Sequence, residues 1–138
     1  MAIAGYVPDA QTKMAHHIGI MARANGTSAI VEAIQGYLAS WPQERISSLQ
    51  RVDAGWAPFD VNQRPLPVNG ALDVRCIRDA IHCHCLAFRE AGMELTPELV
   101  ELDEFFFIAS ELMENFGLAP SQTRAAAIAP RRETYASW

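Results

Sequence analysis

The chain has 138 residues, half of them apolar, and a formal net charge of −5. A chain of this size can bury a core without metal ions or disulfides, and its three cysteines form no disulfide framework, which fits a reducing compartment. The acidic balance argues against a general nucleic-acid binder. Because no apolar run is long enough to cross a bilayer and the N-terminus lacks the pattern of a secretory signal, we expect a cytoplasmic protein that makes no membrane contact.

The N-terminal part of the chain predicts two helices separated by a glycine. Asp9 can cap a first helix over about residues 9–25, and Gly26 suits the left-handed residue that ends it. The second helix is predicted over residues 27–39.

A short third helix follows, and after it the pattern becomes irregular. Ser40 and Gln43 have capping-box spacing, Pro42 suits a first helical turn, and apolar residues recur at helical intervals as far as Val52. The stretch 55–70 contains three prolines and is expected to form an irregular loop. We expect this loop to cover the bundle with the side chains Trp56, Phe59 and Leu66. Alternatively, Trp56 and Phe59 could line a ligand pocket.

Two long helices complete the prediction. One spans about residues 70–92, and the other begins at Thr96-Pro97-Glu98 and ends at Gly117. Because only a few residues join them, they should form an antiparallel hairpin. We therefore expect an all-α fold, a bundle of four longer helices and one short helix in residues 1–117, with a flexible C-terminal tail in residues 118–138.

The segment CIRDAIHCHC, residues 76–85, contains all three cysteines and two of the four histidines. On a helical wheel His82 and His84 point about 160° apart, and so do Cys83 and Cys85. A single helix therefore cannot gather these four side chains around one tetrahedral ion. Our interpretation is that the cluster belongs to a helix, with Cys85 at one edge of its buried arc.

A metal or haem site is the alternative reading of the histidines. His84 falls near the centre of the apolar arc of its helix, and His17 falls on the apolar face of the first helix. Together with Cys83 they could bind a transition metal or haem if the two helices meet. A buried histidine that donates a hydrogen bond to a backbone carbonyl explains the same pattern without a ligand. The sequence contains no recognisable catalytic motif, so we assign no catalytic residue.

The last helix is the more informative feature, because residues 93–117 contain seven acidic residues and no lysine or arginine. Two apolar residues fall outside its buried face and are bordered by carboxylates. We name this predicted partner-binding surface the acidic ridge; its residues are Val100, Asp103, Glu104, Phe107, Glu111 and Glu114.

Three arrangements could account for the acidic ridge. It could be covered by the same chain or simply exposed, it could pack on a second copy, or it could bind a foreign protein. In the first two arrangements its carboxylates could pair with an arginine stripe on the preceding helix, Arg75, Arg78 and Arg89. We expect a non-enzymatic protein that binds another protein or itself through this helix. DNA binding by the second and third helices is a weaker alternative, because residues 1–70 carry no net charge.

Overall fold

The computed structural model describes residues 10–52, 58–60, 62–114 and 116. These residues form five α-helices, α1 (Ala10–Ala22), α2 (Thr27–Ala39), α3 (Gln43–Val52), α4 (Ala71–Glu90) and α5 (Pro97–Glu114). The predicted all-α fold, with four longer helices and one short one, is confirmed. Within the described ranges there is no strand beyond one isolated bridge, and no helix there is both long and apolar enough to cross a membrane.

Helix α5 is the centre of the bundle, because it packs against each of the other four helices. Its sequence is apolar on most of its circumference, as expected of a helix with neighbours on several sides. Two carboxylates, Glu101 and Asp103, are buried together with its apolar residues. Around it the core is completed by α1, α2, α3 and α4, whose largest fully buried side chains include Met21, Ile34, Tyr37, Leu49 and Ile81.

Helices α4 and α5 pack more extensively on each other than any other pair. The start of α4 lies beside the end of α5, where Arg75 contacts Glu114, and His82 contacts Asp103 nearer the turn. The contacts therefore run in opposite directions along the two helices, as the predicted antiparallel hairpin requires.

Both ends of the connection between α4 and α5 follow the sequence signals. The amide of Met93 donates to the carbonyl of Phe88, and Gly92 adopts a φ of 74°, which together form a Schellman end for α4. The hydroxyl of Thr96 accepts the amide of Leu99, 3.3 Å away, and so caps α5.

The prediction for Gly26 is wrong. Helix α1 ends at Ala22, and Gly26 has an extended backbone with a φ of −178°, where it serves as the N-cap of α2. Its position between two helices fits either role, and only the backbone shows that it begins the second helix instead of ending the first. Asp9, the predicted cap of α1, lies outside the described residues.

The irregular loop is attached to α2 and α3 by side-chain hydrogen bonds. Gln50 donates to the carbonyl of Asp60 at 2.9 Å, and Gln35 on α2 donates to the carbonyl of Val68, also at 2.9 Å. Phe59 is 1% exposed and packs against Trp41 with 5.5 Å between ring centroids. Phe59 therefore seals the core. Trp56 lies outside the described residues.

Candidate functional site

The acidic ridge is the least buried stripe of α5, but it is not an open surface. Val100, Glu104, Phe107 and Glu111 are half-buried and Glu114 is exposed, at alternating spacings of four and three residues. Asp103 departs from the prediction, because it is only 1% exposed.

Basic residues of α4 lie against the acidic ridge. The guanidinium of Arg75 is 3.4 Å from a carboxylate oxygen of Glu114, and that of Arg78 lies 5.5 Å from the ring centroid of Phe107. The Nδ1 atom of His82 is 3.5 Å from Oδ1 of Asp103. We call these three α4–α5 contacts the charged seam. They show that pairing within the chain, one of the arrangements expected from the sequence, occupies part of the ridge.

The outer face of α4 carries two large exposed apolar side chains. Leu72 is 74% exposed and Leu86 is 39% exposed, and two exposed cysteines lie between them. The residues recur at alternating spacings of four and three, so they share one side of the helix. We name this set the α4 stripe; its residues are Leu72, Cys76, Asp79, Cys83 and Leu86. The sequence analysis missed it, although the spacing was readable.

The three cysteines differ in accessibility. Cys76 and Cys83 are exposed, whereas Cys85 is fully buried and so lies inside the packed face of α4 instead of at its edge. Burial, reinforced by the charge of Asp103, raises the pKa of the Cys85 thiol to about 12. Cys85 is therefore an unreactive core residue, and the two exposed thiols belong to the α4 stripe.

The proposed metal ligands lie on two helices, α1 and α4. His17 is half-buried on α1, where its Nδ1 lies 2.9 Å from the carbonyl oxygen of Lys13 and its ring meets that of Tyr37 edge-on at 5.8 Å. His84 is half-buried on α4, and Cys83 is exposed there. In the described part of the chain, no group of three or more His, Cys, Asp or Glu side chains is arranged to hold a metal ion. The metal or haem hypothesis stays a prediction without an assembled ligand set.

A buried polar cluster that the sequence analysis missed joins α2, α3 and α5. The Tyr37 hydroxyl donates to Oε2 of Glu101 at 2.5 Å, and the Arg45 guanidinium donates to both oxygens of the same carboxylate, at 2.6 and 3.1 Å. Arg45 also lies 4.0 Å from the ring centroid of Trp41, and the Tyr37 ring stacks on Phe105 at 3.8 Å. No local pattern indicates this cluster, because Glu101 is 64 residues from Tyr37 and 56 from Arg45 in the sequence.

The electrostatics of this cluster fit an ion pair held in a largely water-free setting. Burial and then the negative charge of Glu101 raise the pKa of Tyr37 above its ordinary value. Burial lowers the pKa of Arg45, but the hydrogen bonds and charge of Glu101 outweigh it, so the net shift is upward. The groups thus stay as a neutral phenol, a guanidinium and a carboxylate. Because Tyr37 on α2 and Arg45 on α3 both donate to the Glu101 carboxylate on α5, this cluster links the three helices.

Comparison of the chain with protein-family models, curated proteins and solved structures found no match. The candidate site therefore rests on the geometry of the α4–α5 hairpin.

Proposed function

We propose that this protein acts by binding another protein chain through the outer surface of the α4–α5 hairpin. The observation that supports this is the α4 stripe, in which Leu72 is 74% exposed and Leu86 39% exposed on the same side of one helix. Single exposed apolar residues are common on protein surfaces, but two leucines and two cysteines exposed on the same side of one helix form a continuous face of low polarity that a second helix could cover. The acidic ridge borders this face across the charged seam.

This proposal changes the residues that are expected to make the contact. Phe107 was the apolar centre of the acidic ridge, yet it is half-buried and contacts the Arg78 guanidinium. Glu104 and Glu111 remain accessible enough to contribute charge at the border. The apolar contact is therefore assigned to α4, and the carboxylates of α5 take a supporting role.

The exposed thiols agree with the cytoplasmic location that we propose. Cys76 and Cys83 are both free and exposed on the surface that would bind a partner. In an oxidising compartment such thiols would be open to disulfide formation with other molecules, whereas a reducing compartment keeps them as small, weakly polar contact residues.

The experiment is affinity capture from an extract of the source cells with three forms of the protein. The double variant Leu72→Glu/Leu86→Glu places two charges on the α4 stripe. The matched control is Ile20→Glu, because Ile20 on α1 is 36% exposed, close to the value for Leu86. Proteins recovered with the wild type and the control should be lost with the double variant, while circular dichroism shows all three forms folded. Recovery of the same proteins by the double variant would contradict the proposal.

A further inference from the structure

We propose that the α4 stripe binds a basic amphipathic helix of another protein, with a Lys or Arg facing Asp79 and apolar side chains against Leu72 and Leu86. This inference rests on the proposed function and adds the chemistry of the partner. Three observations carry it, namely the position of Asp79, the charge of the hairpin and the separation of the two leucines.

Asp79 lies at the midpoint of the α4 stripe, between the two exposed cysteines, and is itself exposed. Within the described residues Asp79 has no ion-pair partner, since the carboxylates that pair with Arg45 and Arg75 are Glu101 and Glu114. A helix that covers the stripe removes water from this carboxylate. An uncompensated charge in such a contact is strongly unfavourable, and a cation of the partner opposite Asp79 would compensate it.

The excess negative charge of the hairpin lies beside the stripe, in the turn and α5, because α4 itself carries three acidic residues and three arginines. Residues 71–114 contain ten acidic side chains and three arginines, for a formal charge of −7, although the whole chain carries only −5. Two of those acids, Glu101 and Asp103, are buried, and the other eight lie at or near the surface of the hairpin. A cationic partner is therefore attracted to the hairpin as a whole, and the attraction weakens as salt is added.

The charge of the hairpin also disfavours a second copy of this chain as the partner that binds the α4 stripe. Two copies that packed their stripes together would bring together two hairpins that each carry an excess of acidic side chains. Because Asp79 lies midway between Leu72 and Leu86, it would face the partner copy's Asp79 in both the parallel and the antiparallel alignment of the leucines. Two like charges in one desolvated contact repel each other.

The length of the stripe defines the length of the partner. The rise from Leu72 to Leu86 is about 21 Å along the helix axis, and the small side chains of Cys76 and Cys83 between them permit close approach of a second helix. A partner helix of about four turns spans this distance, with its cation near the middle turn.

The test uses the exposed thiols as reporters of occupancy. Iodoacetamide is added to the full chain, and alkylation of each cysteine is followed by mass spectrometry. Three synthetic helical peptides are compared, each with the same Leu/Ala contact face and with Arg and Lys, Gln, or Glu at the central and flanking positions. In the free protein Cys76 and Cys83 should react while Cys85 does not.

We expect the basic peptide at saturation to slow alkylation of Cys76 and Cys83 at least tenfold, and the acidic peptide to leave it unchanged. Asp79→Asn should weaken binding of the basic peptide about five- to tenfold. Asp79→Arg should transfer the preference toward the acidic peptide, a result that a merely structural Asp79 would not produce. Asp73→Asn is the matched control, because Asp73 on the same helix accepts the Asn69 amide at its N-terminus and should leave the peptide preference unchanged.

Several outcomes would overturn the inference. Equal protection by the neutral or acidic peptide would show that charge does not select the partner. Protection that grows with protein concentration, together with a dimer mass, would assign the stripe to a second copy. Thiols that are already unreactive in the monomer would show that the chain itself covers the stripe, and deletion of residues 118–138, which contain Arg124, Arg131 and Arg132, would test whether that segment is the cover.

Failure of the inference and failure of the proposed function give different results. If the acidic peptide protects the thiols, or capture still depends on Leu72 and Leu86 without any preference for the basic peptide, the binding surface stands and its partner is not basic. If no peptide protects the thiols and the Leu72→Glu/Leu86→Glu variant still captures the wild-type set of proteins, both proposals are wrong.

Discussion

Two glutamates on α5 each contact an arginine on another helix, but in opposite surroundings. Glu101 is 7% exposed and accepts hydrogen bonds from Arg45 through both carboxylate oxygens, with a further bond from Tyr37. The Glu114 side chain is 41% exposed and has a single 3.4 Å contact with Arg75. Helix α5 therefore contains one charge pair inside the bundle and one at its edge.

The difference shows how burial changes the role of the same residue type. Removing one member of a buried pair leaves an uncompensated charge away from water, which is strongly destabilising, even though the intact pair adds little beyond an apolar alternative. An exposed pair is screened by water and salt and contributes little. We therefore expect the buried cluster to determine the stability of the bundle, and the exposed charges to influence partner selection.

The largest effect is expected for Glu101→Ala. It leaves the Arg45 guanidinium, with a side chain 17% exposed, and the Tyr37 hydroxyl without their shared acceptor. We expect the free energy of unfolding to fall by about 3 kcal/mol, measured by urea denaturation with tryptophan fluorescence. The control Glu104→Ala, at a half-buried position on the same helix, should change it by less than about 0.5 kcal/mol. Similar losses in both variants would remove the distinction between the buried and edge carboxylates.

Tyr37→Phe should have a smaller effect. The variant keeps the ring that stacks on Phe105 at 3.8 Å and removes only the hydrogen bond to Glu101. A hydrogen bond to a charged group contributes about 1.5 to 3 kcal/mol, so we expect a loss near the lower figure, since Arg45 still pairs with the carboxylate. A double-mutant cycle with Glu101→Ala should show strong coupling, and additive losses would mean that the hydroxyl acts independently of Glu101.

High pH should weaken the fold, because two buried groups hold their protons more tightly when folded. The pKa of Cys85 rises from 9.0 to about 12, through burial and then the charge of Asp103, and that of Tyr37 rises above 10.0, through burial and then the charge of Glu101. The unfolded chain loses these protons first, so the contribution of Cys85 declines as pH rises above 9.0 and that of Tyr37 declines as pH rises above 10.0. The loss is about 1.4 kcal/mol per pH unit for each group.

Urea titrations between pH 8 and pH 11 measure this decline. The double variant Tyr37→Phe/Cys85→Ala removes both protons and should show a shallower decline than the wild type across the same range. Equal slopes for the two proteins would show that other groups cause the alkaline loss.

The helix order and the α4–α5 connection were predictable because they depend on local signals. The Thr96-Pro97 start of α5 and the Gly92 end of α4 are determined by backbone requirements of a few neighbouring residues, and both are present in the structure. Gly26 was ambiguous for the same reason, because a glycine between two helices fits the end of one and the start of the next.

The predicted buried face of α4 was rotated from the observed one. The prediction placed His84 near its centre and Cys85 at its edge, whereas Cys85 is fully buried and His84 only half-buried. Alanines account for the error. Ala80, Ala87 and Ala91 were counted as apolar, which shifted the centre of the predicted buried face to their side of the helix. Ala87 and Ala91 are exposed and Ala80 is half-buried, since so small a side chain gains little from burial. The rotation also hid the α4 stripe.

The buried cluster of Tyr37, Arg45 and Glu101 could not be predicted from the sequence, for a different reason. Glu101 counts as a polar residue in any periodicity argument, and its burial depends on Tyr37 and Arg45, which come from other helices. Only the tertiary arrangement supplies the donors that make a buried carboxylate tolerable. Asp103 was likewise assigned to the surface, and it is buried where His82 reaches it.

The smallest expected effect concerns the Arg75–Glu114 pair and gives the sharpest test of the comparison. Glu114 also accepts a hydrogen bond from the hydroxyl of the buried Ser110 at 2.8 Å, so Glu114→Gln is preferable to alanine because it retains an acceptor. A double-mutant cycle with Arg75→Ala should give a coupling of about 0.3 kcal/mol that vanishes in 1 M salt. A coupling above about 1 kcal/mol that persisted in salt would instead show that the charged seam stabilises the hairpin as the buried cluster does. In that case a partner could not recruit Arg75 or Glu114 without weakening α4–α5 packing, and contact would be confined to the α4 stripe.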